Sequence, residues 1–215
     1  MSNPWLAVPL SEYEQHMSSV EVQQLGALSD LFAEAIGRCR PSSVAILGIA
    51  GGNGLDRIDI AITSRVVGLD INPRYLESVR DRYAGLAGLE LYCIDLSEQH
   101  IELEPVQLVH AAVIFEHAGA NLCLENAISM TIPEGNLSVV LQLPGDSGQT
   151  VGESQFSSIQ ELKSHFSLIS PAWLCEWLAS RGLRLIHQTT SGLPGGKSFW
   201  MGIFHVPEAQ DWNVE

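Results

Sequence analysis

The sequence predicts an α/β fold with a mostly parallel sheet and helices on both faces. Short apolar runs alternate with helical stretches between residues 44 and 143. A glycine-rich segment, Gly48–Gly54 (the glycine turn), follows the first of these runs. Two strand-like runs, at residues 183–189 and 198–205, close the pattern with no helix between them. Parallel strands need a long crossover, so this last pair must be antiparallel.

The first elements follow from hydrophobic spacing. Apolar residues recur at intervals of three and four over residues 11–38, which predicts a helical segment before a strand at 44–47. A helix is expected after the glycine turn, with Leu55, Ile58 and Ile62 on its apolar face. The later elements are a strand at 65–70, a helix from Pro73 to about residue 84, strands at 89–95 and 107–114, and a helix at about 120–131.

In the second half of the chain, turn and cap residues predict the boundaries of the elements. Residues 133–136 predict a turn, and residues 137–143 predict the fifth strand. Residues 144–158 are polar and rich in Gly and Ser, which fits either a lid or a plain surface loop. Ser170 and Pro171 are typical of a helix start, and Gly182 of a helix end.

These elements fit one domain over residues 1–215. Its predicted parts are a helical amino-terminal cover (1–40), a ligand-binding core (44–143), a lid-like loop with a helix (144–182) and a terminal hairpin (183–206).

Composition narrows the class of partner. The formal net charge is −14, with 25 Asp and Glu against 11 Lys and Arg, so the surface repels the phosphates of nucleic acids and anionic membranes. The four cysteines are scattered and predict neither a disulfide framework nor a metal site. The sequence shows no signal peptide and no run of about 18 apolar residues. We therefore expect a cytoplasmic protein that acts on a small molecule or on a protein, in an oligomeric state that the sequence leaves open.

Two acids follow buried strands at the edge where ligands bind in open α/β sheets. Asp70 ends the second predicted strand, and Asp95 ends the third. An ionised carboxylate offers only acceptors, which suits the two hydroxyl donors of a ribose. A glycine turn that leads into a helix favours a close-lying negative group. The sequence therefore indicates an adenosine-containing cofactor.

With these motifs the chain resembles the class I S-adenosylmethionine-dependent methyltransferases over residues 44–205. The resemblance rests on the glycine turn, Gly68–Pro73, Cys93–Leu96, Ile114–His117, Pro133–Gly135 and the terminal hairpin. It implies a Rossmann-like sheet of seven strands with the last strand antiparallel. It also implies S-adenosylmethionine as cofactor and methyl transfer to an unidentified small-molecule acceptor.

The resemblance also implies residue roles. Asp70 would bind the ribose hydroxyls and Ile71 would pack on the adenine, while Asp95 and the Leu96 N–H would bind its polar edge. The cofactor contacts nearer the methionine end would come from Gly48, Ala50, Gly52, Asn53, Gly54, Ala111 and Glu116. Gly48 stands where the family often has an acid, and Ala50 where it has glycine. The cofactor's ammonium is then left to backbone carbonyls and to Glu116.

Three further residues are candidates for catalysis. His117 follows the fourth strand and titrates near neutral pH, so it suits either a base or a solvated side chain. Tyr13 and His16 lie three residues apart and would share a helix face, in an acceptor pocket or in ordinary packing. Structural roles also remain open for other residues: Asp70 as a helix cap, Asp95 as a turn acid and Asn53 as a cap.

Two other functions compete with methyl transfer. The glycine turn with Asp70 also matches the fingerprint of an NAD-dependent oxidoreductase, although Asp95 and the antiparallel hairpin disfavour it. A non-catalytic module of the same fold, which binds S-adenosylmethionine or a protein partner, would accommodate the missing acid at Gly48.

Overall fold

The computed structural model describes residues 3–145 and 154–208, and in these residues seven strands form one sheet. The strands are β1 (Ser43–Leu47), β2 (Arg65–Asp70), β3 (Leu89–Cys93), β4 (Val106–Ala112), β5 (Thr131–Leu143), β6 (Arg184–Gly192) and β7 (Ser198–His205). The helices are α1 (Leu10–Ser18), α2 (Gln24–Cys39), α3 (Pro73–Arg82), α4 (Phe115–Ala118), α5 (Ala120–Ser129), α6 (Ser157–Glu161) and α7 (Pro171–Ala179).

The strand order is β3-β2-β1-β4-β5-β7-β6. Strands β1 to β5 pair in parallel, and β7 is antiparallel to both β5 and β6. The predicted fold class and the antiparallel terminal hairpin are therefore confirmed. Only a short 3-10 turn, Pro194–Gly196, joins β6 to β7, which is too short for a parallel crossover.

Apolar residues on successive positions of β1 pack on opposite faces of the sheet, as a pleated strand requires. Val44 and Ile46 pack in the cluster that contains residues of α2 and α3. Ala45 and Leu47 pack in the cluster that contains residues of α5 and α7. The sheet is therefore buried on both faces, and its carboxyl edge is left for a ligand.

The prediction of a helix after the glycine turn is wrong. Only a three-residue 3-10 turn, Leu55–Arg57, follows Gly54, and Ile58 is already extended with φ −77° and ψ 124°. The β-branched residues that follow disfavour a helix. The Asp59 side chain accepts from the Ala61 N–H at 2.9 Å, which stabilises a turn instead. The glycine turn therefore has no long helix behind it whose dipole could attract an anion.

The predicted helical segment at 11–38 is two helices rather than one. A turn at residues 19–23 separates α1 from α2, and Gln23 takes a left-handed conformation with φ 48°. Because of this break, α1 lies over the carboxyl edge of the sheet while Leu31 and Phe32 of α2 pack on its face.

The predicted turn at 133–136 lies within strand β5. The pairing with β4 shifts between Val106, which faces Thr131, and Leu108, which faces Asn136. Residues 132–135 therefore bulge from the ladder, with Glu134 at φ 62°.

Other predicted elements agree with the structure within a few residues. The second strand has the predicted bounds, and α3 begins at Pro73 after an Asn72 cap. Helix α7 begins at Pro171 after a Ser170 cap, and Gly182 beyond its end has φ 82°. Most of the predicted lid, residues 146–153, lies outside the described residues. No helix in residues 3–145 or 154–208 is long and apolar enough to cross a membrane.

Candidate active site

A cavity lies at the carboxyl edge of the sheet and encloses about 1120 Å³, including its opening to solvent. Its floor consists of the turns that follow β1 to β4. Its roof consists of two segments, residues 3–17 and 156–166, which pack on each other through Val8, Ile159 and Leu162.

Most of the residues singled out from the sequence meet in this cavity. Those on the floor are Gly48, Ala50, Asp70, Ile71, Asp95 and Leu96. Tyr13 and His16 line it from the roof, and His117 lines it beyond the end of β4. The strand order places Asp95, Asp70 and the glycine turn in sequence along the edge of the sheet, at the ends of β3, β2 and β1.

Asp70 is a buried carboxylate, with 7% of its surface exposed. Its Oδ2 accepts from the Ala50 N–H and its Oδ1 from the Asn72 N–H, both at 2.9 Å. Burial raises the pKa of Asp70 to about 6, although these backbone bonds oppose the rise. The carboxylate is therefore mainly ionised at neutral pH and is held rigidly on the floor.

Ala50 takes a conformation that favours glycine, with φ 47°. For an L-residue the left-handed region costs roughly 1–2 kcal/mol. The bond from its N–H to Asp70 helps to hold the backbone there and ties the glycine turn to the end of β2.

Asp95 has the hydrogen bonds of a turn acid and also lies at the cavity. Its Oδ1 accepts from the N–H of Ser97 at 2.9 Å and from the Ser97 hydroxyl, as a turn acid does. Its side chain nevertheless lines the cavity, and Oδ2 makes neither of these bonds. Asp95 therefore has one oxygen to offer a ligand.

The far half of the glycine turn does not face the main cavity. A Cβ at Gly52 would meet the Tyr83 ring at 2.6 Å, and one at Gly54 would meet the Phe32 ring at 3.0 Å. The Asn53 side-chain amide donates to the Leu25 carbonyl at 2.8 Å, so it ties the turn to α2. These residues therefore determine how the glycine turn packs against α2 and the end of α3.

Two further predicted contacts lie behind the wall of the main cavity. Ala111 is fully buried within β4, and the neighbouring Ala112 lines the cavity instead. Glu116 is 2% exposed, and its Oε1 accepts from the Gln142 N–H at 2.8 Å. Its Oε2 has no hydrogen-bond partner among the described residues. Burial raises the pKa of Glu116 to about 7, so it braces the end of β5 as a partly protonated acid.

His117 is held between aromatic rings of the two roof segments. Its ring lies 4.8 Å from the rings of Trp5 and Phe166, with edge-on geometry in both cases. Burial, with a smaller contribution from the nearby His165, lowers the pKa of His117 to about 4. The imidazole is therefore neutral at neutral pH and can form hydrogen bonds without carrying charge.

Tyr13 and His16 lie on the same face of α1. Burial raises the pKa of Tyr13 above its ordinary value, and the carboxylates of Asp70 and Glu14 add to the rise. Burial lowers the pKa of His16, and the cations of Lys197 and Lys163 add to the lowering. Both side chains therefore stay neutral at neutral pH.

Sequence reasoning missed the residues that complete the roof. Trp5 precedes the first helix, and Ile159, Leu162 and Phe166 follow the polar stretch. The roof is tied to α3 by bonds from the Asn72 amide to the Trp5 carbonyl at 2.9 Å and from the Tyr75 hydroxyl to the Val8 carbonyl at 3.0 Å. The isolated Trp5 near the amino terminus was the available signal, but its partners are distant in the sequence.

Comparison with known proteins gives similarity in structure alone. No family model matches the chain, and no curated protein matches it in sequence. The N-methyltransferase NodS from Bradyrhizobium japonicum WM9, in complex with S-adenosylhomocysteine, is similar over 96% of this chain and 100% of its own, with a TM-score of 0.67 and 13% identity.

Two other solved structures extend the comparison. Coclaurine N-methyltransferase, bound to N-methylheliamine and S-adenosylhomocysteine, matches 85% of this chain and 72% of its own, with a TM-score of 0.63 and 12% identity. The [4+2]-cyclase SpnF matches 85% of this chain and 82% of its own, with a TM-score of 0.64 and 12% identity. The chain thus has the fold of the class I S-adenosylmethionine-dependent methyltransferases.

Proposed function

We propose that this protein transfers a methyl group from S-adenosylmethionine to a small-molecule acceptor. The observation that carries the proposal is the hydrogen bonding of Asp70. A carboxylate has about four acceptor positions, and backbone N–H groups occupy one on each oxygen of Asp70. The Ile71 N–H also bonds to this carboxylate, and the acceptor capacity that remains on this rigid, buried acid at the cavity wall suits a hydroxyl donor of a ribose.

The neighbouring floor residues fit the rest of an adenosine. Asp95 keeps Oδ2 for an exocyclic amine, and Ile71 and Leu96 supply apolar contacts beside it. Asp95 and Asp70 end adjacent parallel strands, so the distance between the two acids follows from the pairing of β2 with β3.

When bound, the cofactor supplies an electrophilic methyl group on a sulfonium. The residues of the chain then have to align the acceptor and exclude water, which are large contributions to the rate of a displacement. Tyr13, His16 and His117 are neutral at neutral pH, so they orient the acceptor by hydrogen bonds. An acceptor that is already nucleophilic at neutral pH, such as an unprotonated amine, suits this site.

The roof supports a small acceptor with an apolar body. The wall next to His117 consists of Trp5, Ile159, Leu162 and Phe166, which offer rings and aliphatic chains rather than charges. The roof encloses the floor from two sides, so a polymer would have to displace it to reach the floor.

Calorimetric titration with S-adenosylmethionine, S-adenosylhomocysteine and NAD tests the proposal. We expect saturable binding of the first two and none of NAD. Binding of NAD alone would favour the oxidoreductase, and binding of none of the three would favour a module that acts through a partner. Cofactor binding with no methyl transfer to a panel of small amines, phenols and acids would contradict the catalytic part.

A further inference from the structure

A second, smaller cavity adjoins the main one between the glycine turn and helices α1 and α2. The two cavities share Tyr13, Leu28, Gly48, Ala50 and Ala112. Glu14 is the one carboxylate among the described residues that line it. The carboxylate of Glu14, which is paired with Arg82, therefore borders this cavity from the roof.

The carboxylate of Glu14 is held in place by α3 and by the glycine turn. Arg82 forms a bidentate ion pair with Glu14, and the same guanidinium donates to the Gly51 carbonyl at 3.2 Å. A Cβ at Gly51 would overlap the Glu14 carboxylate and would lie 2.8 Å from Arg82 Nη1. Glycine at position 51 is therefore what lets the carboxylate approach the turn.

The end of β1 offers no carboxylate of its own. Gly48 has φ 73°, where an L side chain is strained, and a Cβ there would lie 2.9 Å from Ile114 Cδ1. A charge for this part of the site has to come from another element, and Glu14 on α1 supplies one.

We infer that Glu14 binds the ammonium group at the amino-acid end of the cofactor, an inference that rests on the proposed function. Along the sheet edge, Asp95 and Asp70 would take the adenine and the ribose, so the amino-acid chain would extend past the ribose toward the end of β1. The smaller cavity lies there. An ammonium group needs acceptors, and an ionised carboxylate makes the stronger charge-assisted bond.

The inference links cofactor binding to docking of the roof. Glu14 belongs to α1, whereas Asp70 and Asp95 belong to the sheet edge. A bound cofactor would therefore hold α1 against the floor before the acceptor is enclosed.

Three ligands distinguish the contributions of the ammonium and carboxylate groups of the cofactor to binding. S-Adenosylhomocysteine carries the whole amino-acid end, S-adenosyl-3-thiopropylamine keeps the ammonium but lacks the carboxylate, and 5′-methylthioadenosine lacks both. In Glu14→Gln, we expect calorimetry to give about tenfold weaker binding of the first two, the lower range for a hydrogen bond to a charged group. Binding of 5′-methylthioadenosine should stay within about twofold of wild type.

Two further variants complete the design. Glu12→Gln changes a carboxylate on the same helix that contacts Ser158 instead of the glycine turn, and it should leave the binding of all three ligands unchanged. Gly51→Ala should displace the Glu14 carboxylate and reproduce the ligand pattern of Glu14→Gln. Equal loss for all three ligands in Glu14→Gln, or no loss for any, would overturn the inference. If the wild-type protein bound none of them, the proposed function itself would fail.

Discussion

The floor and the roof of the cavity are built by different means. On the floor, Asp70 and Asp95 follow adjacent paired strands, and the backbone bonds to Asp70 are 2.9 Å long. The roof lies on this floor through ring contacts of His117 and a few polar ties to α3. The floor is therefore part of the cooperative sheet, whereas the roof can open locally at a smaller free-energy cost.

This difference matches the demands of the proposed reaction. A cofactor that is the same in every turnover suits a rigid floor, and an acceptor that must enter and leave suits a movable roof. Substitutions in the floor should therefore change cofactor affinity or global stability. Substitutions in the ties of the roof should change local opening.

The largest expected effect is on global stability, at Glu116 behind the wall of the main cavity. Its pKa in the folded protein is about 7, above the ordinary 4.5, so the folded state holds the proton more tightly than the unfolded state. The contribution of Glu116 to the free energy of unfolding should therefore fall by roughly 3 kcal/mol as pH rises from 4 to 8. Glu116→Gln should remove this contribution and leave those of Asp70, His110 and His117, so urea unfolding across that range measures it as the difference between the variant and the wild type.

Glu125, which is exposed on α5, provides the matched control. Glu125→Gln should keep the wild-type pH dependence. If Glu116→Gln also kept the wild-type pH dependence, ionisation of the buried Glu116 would not destabilise the folded protein.

The next largest effect concerns cofactor affinity at the floor. Asp70→Ala should weaken the binding of S-adenosylhomocysteine by about 1.5–3 kcal/mol, the range for hydrogen bonds to a charged group. Calorimetry measures this loss, with Asp56→Ala at an exposed position near the glycine turn as control. Unchanged affinity in a folded Asp70→Ala protein would remove Asp70 from the site.

The smallest effect is expected in the roof. Tyr75→Phe removes the hydroxyl that donates to the Val8 carbonyl and keeps the ring. Losing one neutral bond costs about 1 kcal/mol, so amide exchange in α1 should become about fivefold faster. Exchange mass spectrometry checks this, with Tyr92→Phe, whose hydroxyl contacts Glu90 on β3, as control. Equally fast exchange throughout the sheet would mean that the roof and the floor open together.

The glycine turn shows where sequence reasoning reached its limit. The pattern after Gly54 placed Leu55 on an apolar face, and Leu55 is indeed buried, at 2% exposed. The same spacing suited a helix, but Ile58 is extended and Asp59 closes a turn. The spacing of apolar residues predicts which of them are buried. Whether the segment forms a helix or a turn also depends on the packing of α2 against that face of the sheet.

Glu14 and Trp5 were beyond sequence reasoning for a related reason. Glu14 meets the turn after β1 through Arg82, and Trp5 meets His117, over long separations in the chain. Nothing in the local pattern of either residue indicates its partner.

By itself, the sequence determined the fold class, the antiparallel hairpin and the positions of Asp70 and Asp95 at strand ends. These features follow from local signals, because strand periodicity, turn residues and connection length all depend on residues that are close together in the sequence. Tertiary structure alone decided that the glycine turn lacks its helix, that Glu116 lies buried behind the wall and that Glu14 faces the smaller cavity. These depend on packing between distant segments, since burial and charge contacts arise only when those segments meet.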